Sequence, residues 1–157
     1  MAERDNFSGQ LLLRTLGETR ELGRRIAKGL AAGDVIALEG DLGAGKTTLA
    51  RAILRALGVT AEIPSPSFAL VQEYETPRLR IFHFDLYRIE SIAEVDELGF
   101  EEAQERGAIL LEWPERAQAR IPSHALRIGI EIVGETVRAV QFFGGARWAQ
   151  LLASKKA

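Results

Sequence analysis

Residues 35–48 read VIALEGDLGAGKTT, where strand, glycine loop and helix signals follow one another without a gap. Val35 to Gly40 is a β-branched apolar run of strand type. Gly40, Gly45, Lys46 and Thr47 then satisfy the phosphate-loop spacing G-x-x-x-x-G-K-[ST]. Beyond it, Leu49 to Leu57 (LARAILRAL) repeats apolar residues at helical spacing. An accidental match at four fixed positions arises about one time in a hundred or less in a chain of this size, and the strand and helix on either side sharpen it further.

The pattern specifies a chemistry. A glycine-rich turn converges several backbone N–H groups on one point, and the helix behind it adds its positive N-terminal end, so a polyanionic phosphate chain fits there. Lys46 is placed to neutralise charge between terminal phosphates, and the Thr47 hydroxyl to complete the shell of a Mg²⁺ ion that keeps most of its water.

Composition bounds the rest. The 157 residues fit one domain, 1–157, with 46% hydrophobic and 27% charged residues, close to an average globular protein. With no cysteine, disulfides, thiolate zinc and cysteine nucleophiles are excluded, and His83 and His124 alone make a histidine metal centre implausible. Magnesium held by oxygens remains. No apolar run approaches the roughly 18 residues of a membrane span, so a cytoplasmic protein without a membrane role is expected. The formal net charge of −2 announces no DNA-binding or RNA-binding surface.

Along the chain, Leu11 to Leu13 predict a first strand and Gly17 to Gly33 a helix with Leu22, Ile26 and Leu30 on one face. Phe68 to Tyr74 and Leu79 to Tyr87 predict a hairpin turned at ETPR. Glu94 to Glu105 is helical with a break near Gly99, and Ala108 to Trp113 is a buried strand ended by Pro114. Leu126 to Ile132 and Thr136 to Phe143 form a second hairpin about Gly134, and Ala146 to Leu152 a last helix. The mixture predicts an α/β three-layer sandwich: a central mixed sheet flanked by helices, of the P-loop NTPase kind, with the site at the carboxyl ends of its parallel strands.

Hydrolysis needs carboxylates beside the loop. Glu112 follows Ile109, Leu110 and Leu111, where the acid of a second motif belongs if this strand lies beside the loop strand, although aspartate is usual there. Asp85, among the aromatics of HFDLYR, is costly to bury without a partner or a metal, and Arg88 is an available partner. His83 shares the register of Asp85. Ser67 in SPSF sits where phosphate-sensing loops occur, and Trp113 either covers the site or packs.

Taken in order, GDLGAGKTT, SPSF, HFDLYR and LLEWPE resemble the TsaE family, small bacterial ATPases of tRNA threonylcarbamoyladenosine synthesis. The resemblance runs from the helix holding Thr19 to Glu115, and less distinctly to Arg138. It implies an ATPase using ATP and Mg²⁺ that associates with the TsaB and TsaD proteins, with tRNA reached only through that complex. It further implies that Gly40, Asp41, Leu42, Gly43, Ala44, Gly45, Lys46, Thr47 and Thr48 hold the phosphates. Thr47, Glu112 and Asp85 then serve the metal, Asp85, Glu112 and Lys46 the hydrolysis, and Thr19, Ser67, Trp113 and Arg138 contact the nucleotide. The family usually has SPTF, so Ser67 keeps the hydroxyl and loses a methyl group.

Other classes share the loop. A small-molecule kinase needs a basic lid, and Arg88 to Gly107 is instead acidic. A GTP-dependent switch is suggested by DELG (Asp96 to Gly99), a loose D-x-x-G, but no N-K-x-D guanine motif accompanies it. A nucleotide-gated scaffold overlaps with the ATPase reading.

Overall fold

The computed structural model describes residues 6–152, and among them seven strands form one sheet in the order β1-β7-β6-β2-β5-β4-β3. The strands are β1 (Asn6–Leu13), β2 (Val35–Glu39), β3 (Val71–Glu75), β4 (Arg80–Asp85), β5 (Ala108–Glu112), β6 (Leu126–Ile132) and β7 (Arg138–Gly145). The helices are α1 (Leu16–Gly29), α2 (Lys46–Ala56), α3 (Ile92–Glu97), α4 (Phe100–Arg106) and α5 (Ala149–Leu152). β2 runs parallel to both β5 and β6, and β4 parallel to β5, while β3 and the β1–β7–β6 set pair antiparallel. The sheet is therefore mixed, as the alternation of strand and helix signals predicts, with both hairpins in place.

Strand parity divides the core. Ile36, Leu38, Ala108, Leu110 and Ile128 join the cluster beneath α1 and α2. Val35, Phe82, Phe84, Ile109 and Leu111 join the cluster beneath α3 and α4, where Phe84 and Phe100 meet edge to face. All five residues of β5 are buried, as a strand covered on both faces requires. Truncating Leu110 to Ala in such a site costs about 2–5 kcal/mol.

Local chemistry sets the boundaries. Thr15 caps α1, its Oγ1 accepting the Glu18 N–H at 3.1 Å. The helix ends at Gly29 rather than Gly33, because Leu30 turns to extended backbone and enters the core. Gly99, at φ 82°, separates α3 from α4 where the sequence predicts the break. The predicted strand from Phe68 begins only at Val71: Leu70 adopts φ 71° and donates its N–H to Pro66 O at 2.6 Å, which makes Phe68 to Leu70 a turn and leaves Phe68 exposed. The predicted last helix opens as a 3-10 turn, Ala146–Trp148, before α5.

Candidate functional site

The loop between β2 and α2 is shaped by glycines in the left-handed region: Gly40 at φ 150°, Gly43 at 82° and Gly45 at 116°. At Gly40 a Cβ would lie 2.6 Å from the Ile130 carbonyl oxygen, so no side chain fits. Gly45 is the N-cap of α2, where a Cβ would meet no atom within 4 Å, and the first N–H groups of a helix, having no partner within it, suit an anion.

Lys46 opens α2, and its Nζ donates to the Gly40 and Asp41 carbonyls at 2.6 and 3.0 Å. The ammonium also lies 4.1 Å from the centre of the Trp113 ring. Burial holds Lys46 below the ordinary lysine range, while Glu112, Glu115, Asp85 and Asp41 act in the opposite sense. Trp113 itself stands at φ 60° and packs against Tyr87 with ring centroids 4.8 Å apart and the rings tilted by 46°, so the turn at the end of β5 sets its indole beside Lys46.

The parity that sends Leu110 under α2 sends Glu112 the same way, and the β2–β5 register sets it opposite Leu38, one residue before the loop strand ends. Both of its carboxylate oxygens lie 2.9 Å from Thr47 Oγ1. His83 Nε2 is 2.7 Å from Glu112 Oε2, and the bond to an ionised Glu112 requires a proton on Nε2. The His83 ring is wholly buried, and its Nδ1 has no hydrogen-bond partner among the described residues.

Asp85, opposite Glu112 in the β4–β5 register, follows the same parity. Its Oδ1 accepts the Tyr87 N–H at 3.0 Å and its Oδ2 the Ser67 hydroxyl at 3.3 Å, with Ser65 Oγ a further 2.8 Å from Ser67 Oγ. These groups compensate its burial. Arg88, the partner the sequence offered, lies over the Phe68 ring at 4.7 Å. The SPSF turn is thereby tied to the carboxylate end of β4.

Thr19 and Arg138 come together although far apart in sequence. A cavity of about 370 Å³ beside the loop is lined by both, with Ala44, Gly45, Thr48 and Thr136. Arg138 Nε donates to Ala44 O at 2.8 Å, joining β7 to the loop backbone, and Thr19 Oγ1 donates to Thr15 O at 3.4 Å. Arg14 and Thr136 also line this cavity and were not legible in the sequence: the β1–β7 register, Leu13 opposite Arg138, brings them in. Asp41 and Leu42 stand exposed at the loop tip. The Asp96 of DELG lies elsewhere on α3, its oxygens 2.8 Å from the Arg120 guanidinium.

The N-terminus of α2, a lysine, a hydroxyl and two carboxylates thus lie together at the carboxyl ends of β2, β4 and β5. A model of the threonylcarbamoyl adenosine biosynthesis protein TsaE matches residues 13–140. The chain belongs to the TsaE family. It takes a place among proteins of tRNA threonylcarbamoyladenosine biosynthesis. The protein of that name from Rickettsia felis is 40% identical over 129 residues, 82% of this chain and 75% of the other. The Bacillus subtilis one is 37% identical over 136 residues, 85% of each chain. In three dimensions the crystal structure of Bacillus subtilis YdiB superposes with a TM-score of 0.78 at 29% identity, covering 94% of this chain and 93% of that one. The TsaE match spans every residue of the site from Thr19 to Arg138. Among the described residues no helix is long and apolar enough to cross a membrane.

Proposed function

We propose that this TsaE-family chain is a Mg²⁺-dependent ATPase that works with the TsaB and TsaD proteins in threonylcarbamoyladenosine modification of tRNA. The observation that carries the reading is the contact of Thr47 Oγ1 with both oxygens of Glu112 at 2.9 Å, which places the hydroxyl of the phosphate loop and the acid at the end of β5 in one position. A hydroxyl with two carboxylates is an all-oxygen donor set of few protein ligands, which fits magnesium. Thr47 and Glu112 would hold the ion, with Asp85 beside them, and the ion supplies neutralisation of charge on the terminal phosphates.

The chain's own groups do the rest. Gly40 to Thr48 bind the phosphate chain through backbone N–H groups. Lys46 exchanges the carbonyls of Gly40 and Asp41 for phosphate oxygens, a stronger charge-assisted pairing. Trp113 and Tyr87 exclude water from one side of the lysine. His83 holds Glu112 in orientation, and Ser67 on Asp85 couples the SPSF turn to the reacting end of the nucleotide. Thr19 and Arg138 line the cavity that receives the remainder of the nucleotide. TsaB and TsaD activate by ordering the SPSF turn and closing the site around the phosphates, a partner-dependent assembly.

The test is phosphate release from Mg·ATP by the full chain, with Lys46→Ala as the blank. Release above that blank and absent without Mg²⁺ supports the reading; transfer of phosphate to a small acceptor faster than to water would replace it with a kinase.

A further inference from the structure

Arg20 and Arg24 stand one helical turn apart on α1, and Arg51 and Arg55 one turn apart on α2. The two helices approach closely because Gly23 has no side chain: a Cβ there would lie 2.6 Å from Ala52 Cβ. Between the two arginine rows runs a groove of about 710 Å³, with Ala52 and Ala56 among its lining residues. All four arginines are exposed. Like charges at this spacing repel along each helix, and facing rows add to the repulsion.

Internal partners relieve little of it. Arg24 pairs with Glu21 at 2.9 Å. Arg51 donates through Nε to Ile63 O at 2.8 Å, and Arg55 through one nitrogen to Val59 O and Ala61 O at 2.9 and 2.7 Å. The side chain of Arg20 makes no hydrogen bond or ion pair among the described residues. In a chain of net charge −2, four guanidiniums around a groove lined by no acid, of which Arg24 alone pairs with a carboxylate among the described residues, are a local concentration of positive charge that an external anion would satisfy.

We infer that this groove is the docking site for an acidic segment of a protein partner, a helix or loop whose carboxylates enter between the two arginine rows. Arginine is enriched at protein interfaces, and Leu16, 61% exposed at the groove, adds apolar surface beside the four arginines. The lining holds no aromatic ring on which a nucleic-acid base would stack. Position gives the site its consequence. Leu16, Thr19 and Thr48 line both this groove and the cavity beside the phosphate loop, so a partner seated on the arginines touches the walls of the nucleotide pocket. The inference rests on the partner reading above and supplies its contact surface.

The experiment measures binding of the TsaB–TsaD pair to the full chain, to Arg20→Glu/Arg24→Glu and to the milder Arg20→Gln, with ATP affinity and circular dichroism followed in parallel. The expected result is a loss of at least tenfold in partner affinity for the double variant and a smaller loss for Arg20→Gln. Binding of the unaltered chain should weaken as salt rises, while ATP affinity of the variants stays within about twofold. Pair binding by the unaltered chain that the variants retain would overturn the inference alone. An unaltered chain that never binds the pair would overturn the inference together with the partner reading. Binding of tRNA that the variants lose, with protein binding intact, would assign the groove to RNA and overturn it as well.

Discussion

Thr47 and Glu112, 65 residues apart, meet with the threonine hydroxyl 2.9 Å from each carboxylate oxygen. One hydroxyl proton cannot satisfy both oxygens fully, and His83 completes the set from the opposite strand. On the proposed function, Mg²⁺ would sit where the two side chains converge.

Glu112→Gln keeps the volume and hydrogen-bonding capacity of the side chain and removes its charge. ATP turnover should fall by about 10²-fold or more, with nucleotide affinity within a few fold, because the lost interaction serves the transition state more than the ground state. Steady-state hydrolysis alongside equilibrium titration separates these quantities, and normal turnover by the variant would remove Glu112 from its assigned role.

Lys46→Ala should behave differently. The ammonium that now bonds to Gly40 and Asp41 is the one expected to bind phosphate, so both ATP affinity and turnover should drop. Unaltered affinity would mean that Lys46 stays locked on its own loop.

Trp113 reports this exchange directly. Its ring lies over Lys46, whereas Trp148, the other tryptophan, is buried in the core at 1% exposure. Addition of ATP should change the intrinsic fluorescence of a Trp148→Phe variant and leave that of Trp113→Phe unchanged. A nucleotide-dependent signal from Trp148 instead would contradict the placement.

His83→Phe leaves a buried carboxylate short of one partner. Stability should fall by about 1–3 kcal/mol in denaturant unfolding, with kcat reduced more than ATP affinity. Wild-type stability and turnover would show that the 2.7 Å contact does nothing for Glu112.

Asp96 provides a contrast away from the site. The Arg120 guanidinium bonded to it holds its carboxyl below the usual range. A depressed folded pKa contributes stability above the unfolded value, and that contribution disappears as pH falls below about 4. Asp96→Asn should flatten this acid limb and leave ATP turnover within about twofold; a large loss of turnover would revive DELG as a switch element.

Much of this was legible in the sequence because periodicity and motif spacing are local. The strand before the phosphate loop, both hairpins and the break at Gly99 follow from alternation and glycine. The proximity of Glu112 to the loop follows from an apolar strand ending in an acid, and the shared face of His83 and Asp85 from simple parity. The turn at Phe68 to Leu70 was not legible, since FALV carries strand composition and only the Leu70 to Pro66 bond overrides it. Nor was the choice of Arg88 for Phe68 over Asp85, because the Tyr87 N–H and the Ser67 hydroxyl had already satisfied that carboxylate. The arginine groove depends on the packing of α1 against α2, which spacing along one helix does not reveal.

The most direct measurement is the ATP turnover of the full chain with Mg²⁺, with and without TsaB and TsaD, against the Lys46→Ala blank. Turnover that is low alone and rises severalfold or more with the pair is the predicted result. Hydrolysis equal to the blank under both conditions, or indifferent to the pair, would contradict a partner-activated ATPase.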